Sequence, residues 1–282
     1  MILNFSKTRD PKKLRELATH LRIAIIRCLT AAGSGHPGSS LSVIDIVTTL
    51  YYAKMNFKPA EPSWSGRDRL VLSKGHGVPA LYAVWNMIGQ ISDEELLTLR
   101  KLGSRLQGHP TNTRCDFLDA STGSLGQGLS IAQGMALAGR TNTPPFHVYC
   151  ILGDGECQEG QIWEAAMSAP KFKLDNLTVI LDANRGQIDG HVPQVMNIEP
   201  IVDKFKSFNW NVLEIDGHNF EQILNALDKA TQTKGMPTFI AARTVKGKGV
   251  SFMADKIEWH GVAPTKEEGD KAIQELELAL KS

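Results

Sequence analysis

Several things are scarce in this 282-residue chain, and each scarcity excludes a class of protein. There are four cysteines, Cys28, Cys115, Cys150 and Cys157, with no CxxC spacing and no disulfide framework. That usage suits a reducing compartment, and each thiol reads as a buried structural group. Charge of one sign is lacking too: 31 basic residues face 30 acidic ones. No basic cluster extends beyond Lys12 and Lys13, so no electrostatic footprint for nucleic acid or an anionic membrane is present. No apolar run approaches the roughly 20 residues a bilayer requires, and residues 1 to 13 offer no apolar region for a secretory signal. The expectation is a cytoplasmic protein whose partners are small molecules or other proteins. No internal repeat, low-complexity tract or clear linker interrupts the chain. A nicotinamide site of the Rossmann type is disfavoured, because no GxGxxG joins a first strand to a helix.

What is present is hydrophobic periodicity. Asp10 followed by Pro11 predicts a helix start, and Leu14, Leu17, Leu21, Ile25 and Cys28 recur at helical spacing until Gly33. Ser39 or Ser40 is expected to cap a second helix reaching about Met55. Arg69 to Ser73 reads as a strand, Val78 to Ile88 as a helix, and Ser92 to Glu95 as a capping box. From His147 the pattern changes. His147 to Leu152, Leu177 to Asp182, Asn211 to Ile215 and Thr238 to Ala242 are strand-length apolar runs. Between them lie helices carrying Ile162, Ala165, Ala166 and Ala169, then Ile223, Leu224 and Leu227, and a last helix is expected over Lys271 to Leu280. Runs apolar on both faces, alternating with helices, predict an α/β fold: a doubly wound, mostly parallel sheet covered on both sides. One domain over residues 1 to 282 is expected.

Gly153-Asp154-Gly155-Glu156 directly follows one apolar run, and Asn184 directly follows the next. Ligands of open parallel sheets bind beyond the carboxyl ends of the strands, so both residues are expected at one crevice. Glycines 153 and 155 permit close approach of the backbone to a phosphate. A carboxylate and an amide oxygen are hard donors that suit magnesium or calcium better than zinc, and magnesium completes its octahedron with phosphate oxygens and water. Asp-Gly and Asn also terminate strands and cap turns. The pair at two strand ends, with 28 residues between Gly155 and Asn184, favours the metal–diphosphate reading. His36, His76, His109 and His260 each sit in a loop flanked by glycine or proline, where a histidine can bind phosphate or relay a proton. His20, His147, His191 and His218 lack that context and receive no role. The Lys246-Gly247-Lys248-Gly249 loop reads equally as a phosphate patch or a solvated turn, and it is left out of the site.

The Asp154–Asn184 spacing resembles the thiamine diphosphate signature, and the wider pattern resembles the N-terminal, diphosphate-binding half of transketolases. Seven motifs carry the resemblance: Ser34–Gly38, Leu72–His76, Gly108-His109-Pro110, Thr122–Gly128, Gly153–Glu156 with Glu159-Gly160, Gln187–Gly190, and Trp259-His260-Gly261. The resemblance implies that Asp154, Asn184 and the carbonyl of Gly186 hold magnesium, with calcium or manganese as substitutes. It implies that His76, His260 and the Gly155 amide hold the diphosphate, and that Gly123, Leu125 and Ile188 support the cofactor. His36 and His109 would line a sugar-phosphate channel. Glu159 would lie at a subunit interface beside the aminopyrimidine-activating glutamate, and Glu164 in an acidic network linking paired sites. One departure is Arg185-Gly186 after Asn184, where family members often carry glycine and a larger apolar residue.

Full-length transketolases also carry a pyrimidine-binding domain and a C-terminal domain. The resemblance therefore implies a split enzyme, in which a second subunit supplies the missing half and a heterotetramer with two copies of each chain forms. The implied activity is transfer of a two-carbon ketol unit from a ketose phosphate to an aldose phosphate. A non-catalytic cofactor-binding subunit, or a related thiamine diphosphate enzyme such as deoxyxylulose-phosphate synthase, stays open as an alternative.

Overall fold

A computed structural model describes residues 5–281. The chain opens with helix α1 (Pro11–Ala32), where Asp10 accepts from the Lys12 amide at 2.9 Å and Gly33 adopts φ 62° to end the helix. Both signals were legible in the sequence. Helix α2 (Pro37–Thr49) corrects an expectation. It begins at Pro37, ahead of the two serines expected to cap it, because proline's fixed φ suits the first helical position. Ser40 instead donates back to the His36 carbonyl at 2.8 Å, and every residue of α2 is buried. A π-helical turn (Leu50–Lys54) extends it to Met55.

Strand β1 (Arg69–Leu72), helix α3 (Pro79–Ile88) and the short α4 (Asp93–Leu96) follow, the last capped by Ser92, which accepts from the Glu95 amide at 3.1 Å. Helix α5 (Gln127–Thr141) has no counterpart in the sequence reading. Gly128, Gly134 and Gly139 lower its helical propensity, yet two of them are needed for close packing. A Cβ on Gly128 would lie 2.4 Å from the Ser73 hydroxyl, and one on Gly139 2.7 Å from the Phe146 ring. The remaining elements are β2 (Val148–Gly153), α6 (Gly160–Lys171), β3 (Leu177–Ala183), the two-residue strands β4 (Gly186–Gln187) and β5 (Gly190–His191), α7 (Val192–Val195), α8 (Ile201–Ser207), β6 (Asn211–Asp216), α9 (Phe220–Gln232), β7 (Thr238–Arg243) and α10 (Lys266–Lys281).

Five strands form one parallel sheet in the order β1-β2-β3-β7-β6. Alternate side chains serve two cores. Tyr149, Ile151, Ile180 and Ile240 pack with α1, α2, α3, α9 and α10, whereas Cys150, Leu152, Val179 and Phe239 pack with α5, α6 and α8. This is the doubly wound α/β arrangement expected from runs apolar on both faces. Strand β6 departs from it. As an edge strand it is only half-buried, with Glu214 and Asp216 exposed. No helix among the described residues is long and apolar enough to cross a membrane.

Register fixes the site. Gly153 pairs with Asp182, and Asp182 with Ala242, so the segments beginning at Ser73, Asp154, Asn184 and Thr244 leave the sheet at one edge.

Candidate functional site

A cavity of ≈ 210 Å³ opens at this carboxyl edge and brings together Ser39, Lys74, His76, Leu125, Asp154, Gly155, Asn184, Gly186, Ile188, Lys246 and His260. Eight sequence-expected site residues therefore share one wall system: Asp154, Asn184, Gly186, His76, Leu125, Gly155, Ile188 and His260. Asp154 is buried, and its carboxylate accepts from the Gly155 amide at 2.8 Å and from the Arg185 amide. Arg185 reaches that geometry at φ 63°, a left-handed conformation a large side chain seldom adopts. Burial, and then the neighbouring Asp182 charge, push the Asp154 carboxyl up to about 6. A cation beside it would remove that penalty.

Asn184 is oriented by a residue the sequence reading passed over. Asp182, fully buried, accepts from Asn184 Nδ2 at 2.9 Å, from the Ser42 hydroxyl at 2.6 Å, and from Lys74 Nζ and the Thr244 hydroxyl. Burial works to raise its carboxyl, but Lys74 and the hydrogen-bond donors outweigh it, so Asp182 is held below the ordinary carboxylate range. An ionised carboxylate can only accept, which turns the Asn184 NH₂ toward Asp182. The amide oxygen, which takes the Gly186 amide at 3.1 Å, remains as the cation donor. Among the described residues no three His, Cys, Asp or Glu side chains gather into a metal-binding group. A cation here would draw on Asp154, amide and carbonyl oxygens, and its ligand's phosphate, the hard-oxygen set of magnesium.

The opposite wall is built of nitrogen bases. His36, His76 and His260 cluster with ring centroids 4.9 to 5.6 Å apart. Lys246, 1% exposed, places Nζ 2.9 Å from His260 Nδ1. Burial, then Lys246, depresses His260 to about 3, and burial, then Arg100, depresses His36 to about 4. Burial likewise holds His76 well below its ordinary range, and burial with Lys74 brings Lys246 down to about 8. Burial keeps these imidazoles neutral, and an anion among them would favour their protonation and the Lys246 ammonium. Gln187 adds a donor without an acceptor: it lines the cavity, its Nε2 is buried with no partner, and its Cβ lies 3.0 Å from where a Gly155 Cβ would stand. An unpaired buried amide is costly, and a phosphate oxygen would satisfy it. The residues present therefore fit a magnesium–diphosphate group.

Other expected residues stand around the rim. His109 is exposed, and Gly123, at φ 144°, lets its ring approach to 3.0 Å from where a Cβ would be. Gly75 in turn fits against the Gly123 amide. Glu156 ties this loop down, accepting from the Gly126 and Gly153 amides at 3.0 Å and from the Ser73 hydroxyl. Glu159 and Glu164 are exposed and outside the cavity lining. Arg100 reaches within 3.5 Å of His36 Nδ1. Sequence reasoning missed Lys74, Asp182, Glu156 and Gln187, and it left out Lys246. The strand-end rule that selected Asp154 and Asn184 points after β7 to Thr244, which donates to Asp182, and Lys246 lies two residues further on.

The family model for "Transketolase, thiamine diphosphate binding domain" matches residues 14–279. A 6-deoxy-6-sulfo-D-fructose transketolase subunit of Clostridium sp. (strain MSTE9) is 44% identical over 264 residues, covering 94% of this chain and 96% of its own. Human transketolase is 43% identical over 271 residues, covering 95% of this chain, which spans 43% of the human protein's length. The crystal structure of Campylobacter jejuni transketolase superimposes with a TM-score of 0.89 at 34% identity, over 94% of this chain and 43% of that one.

Proposed function

This chain belongs to the transketolase thiamine-diphosphate-binding domain family, and from that premise we propose that it is the diphosphate-binding subunit of a transketolase, moving a two-carbon ketol unit from a ketose phosphate to an aldose phosphate. One observation carries the reading: Asp154, Asn184, His76, His260 and Lys246, from four loops, meet at a single cavity that also holds an unpaired donor. Thiamine diphosphate, when bound, supplies the carbon nucleophile and electron sink that breaking the donor's carbon–carbon bond demands.

This chain's residues do the rest of the local work. Asp154, Asn184 and the Gly186 carbonyl hold magnesium. His76, His260, Lys246 and Gly155 hold the diphosphate, while Gly123, Leu125 and Ile188 support the cofactor; Ile188 is 66% exposed, an apolar surface awaiting cover. His36 and His109 line the sugar-phosphate channel and handle protons or hydroxyl groups of the sugar. With its affinity for protons depressed to about 4, His36 works as a neutral imidazole. One domain over residues 1–282 forms this half. A second chain supplies the pyrimidine-binding half, a division supported by the clostridial relative, which is named a subunit and is matched over 96% of its length. Glu159 and Glu164 are exposed and free to enter the interface of a cytoplasmic heterotetramer with two copies of each chain.

The test is isolation of the untagged protein from its source with its co-purifying chain, then a ketol-transfer assay with magnesium and thiamine diphosphate. Turnover is expected with the second chain and absent without it. Full turnover by the isolated chain contradicts the split, and no turnover with any co-purifying chain favours a non-catalytic cofactor-binding subunit.

A further inference from the structure

His218 follows β6, far along the chain from every motif at the cavity, yet the fold spends a buried carboxylate on it. Asp45 of α2, 3% exposed, accepts from His218 Nδ1 at 2.7 Å and from Arg22 Nη2 of α1 at 2.7 Å with the same oxygen. His218 Nε2 accepts from the Val245 amide at 2.9 Å, and Arg22 Nε donates to the Lys248 carbonyl at 3.0 Å. The main chain is thus gripped on both sides of Lys246. Further bonds close the loop: Gly247 donates to the Gly38 carbonyl at 3.0 Å, and Asp255 to the Lys246 carbonyl at 2.8 Å. Between these anchors the Lys246 side chain runs against Gly38 and Gly186, where a Cβ would come within 2.6 and 2.4 Å of it.

We propose that His218 is a positioning residue for Lys246: Asp45 holds it as the Nδ1–H tautomer, and its bare Nε2 fixes the Val245 amide so that the Lys246 ammonium meets the diphosphate. The tautomer follows from geometry, because a backbone N–H can only donate, so the nitrogen it meets carries no proton. Arg22 already gives the buried Asp45 a neutralising charge. The third member adds one thing, a hydrogen bond to the amide that immediately precedes Lys246. The inference rests on the proposed cofactor role of the cavity.

Calorimetric titration of magnesium thiamine diphosphate into the assembled protein, with thermal unfolding measured on each variant, separates the possibilities. In His218→Gln the amide oxygen reaches the Nε2 position and keeps the Val245 bond. In His218→Asn the side chain reaches only the Nδ1 position and leaves that amide unpaired. His218→Asn is expected to weaken cofactor binding by about fivefold to tenfold, the worth of one buried hydrogen bond, with His218→Gln close to wild type. The double variant His218→Asn/Lys246→Ala is expected to bind no worse than Lys246→Ala alone, because one acts through the other. Equal affinities for the Gln and Asn variants, or additive losses in the double variant, overturn the positioning role. Unchanged affinity in Lys246→Ala, or no binding by wild type, instead overturns the cofactor reading and the inference with it. If His218→Asn does not fold, ¹⁵N-histidine NMR of the wild-type protein decides: a protonated His218 Nε2 overturns the proposal.

Discussion

The two ends of the parallel sheet both gather charged side chains, and only one of them opens into a cavity. At the amino edge, Asp119 accepts from the Leu70 amide at 2.8 Å and pairs with Arg67 at 2.6 Å, while Asp68 accepts from the Asn56 and His147 amides at 2.7 and 2.9 Å. His147 closes on the Thr178 hydroxyl at 2.8 Å. These side chains tie the starts of strands together. At the carboxyl edge the buried groups face a cavity, and Gln187 is left without an acceptor. Titration alone would not separate the two ends. Burial drives His147 down to about 3, and burial with Lys246 does the same to His260. What distinguishes the carboxyl edge is that its perturbed groups line a common cavity.

The sharpest way to break that contrast is to truncate one carboxylate at each end. Asp119→Ala strands Arg67 beside buried backbone and is expected to cost about 3–5 kcal/mol of folding stability by urea unfolding, with cofactor affinity unchanged once the protein is folded. Asp154→Ala is expected to weaken magnesium thiamine diphosphate binding by well over tenfold, a loss above about 1.4 kcal/mol in calorimetric titration. If the two variants exchange behaviours, the ends have been misassigned.

Within the carboxyl edge a smaller difference is expected. His76→Ala should mainly weaken cofactor binding, whereas His109→Ala at the rim should lower turnover and leave cofactor affinity nearly intact. Equal effects of both changes on cofactor affinity would erase the distinction between the cavity floor and its rim.

The smallest effect concerns pH. His147 titrates near 3 when folded and near 6.5 when unfolded, so folding favours its neutral form. Its contribution is complete above about pH 6.5 and is lost as pH falls toward 3, because the unfolded chain then binds a proton the folded one refuses. Replacing His147 with Gln should flatten the acid limb of stability in that window without altering cofactor affinity. An unchanged slope would mean that His147 is not held neutral.

Much of this was legible in the sequence, for identifiable reasons. Asp10-Pro11 and Gly33 bounded α1 because capping is local chemistry. β2, β3 and β7 announced themselves because a central parallel strand is apolar on both faces. Helix α5 did not, since its glycines lower the helical signal and Gly128 answers to Ser73, which lies far away in sequence. The site divided along the same line. Asp154 and Asn184 stood out as strand-end residues, and the histidines as loop residues. Lys74, Asp182 and His218 act through long-range bonds that no local pattern encodes: Lys74 meets Asp182, Ser42 donates to Asp182, and His218 meets Asp45.

The sheet order also dictates a sequence of events during synthesis. β3 is central, yet its second neighbour is β7, which begins only at Thr238, after β6 and α9 have been made. Until then an apolar strand with unpaired amides and carbonyls stands open on the nascent chain, the template that promotes misassociation. The cavity is completed by the same late arrival, because Lys246 lies three residues beyond the end of β7. The cavity is therefore not assembled before the open edge of β3 has been closed.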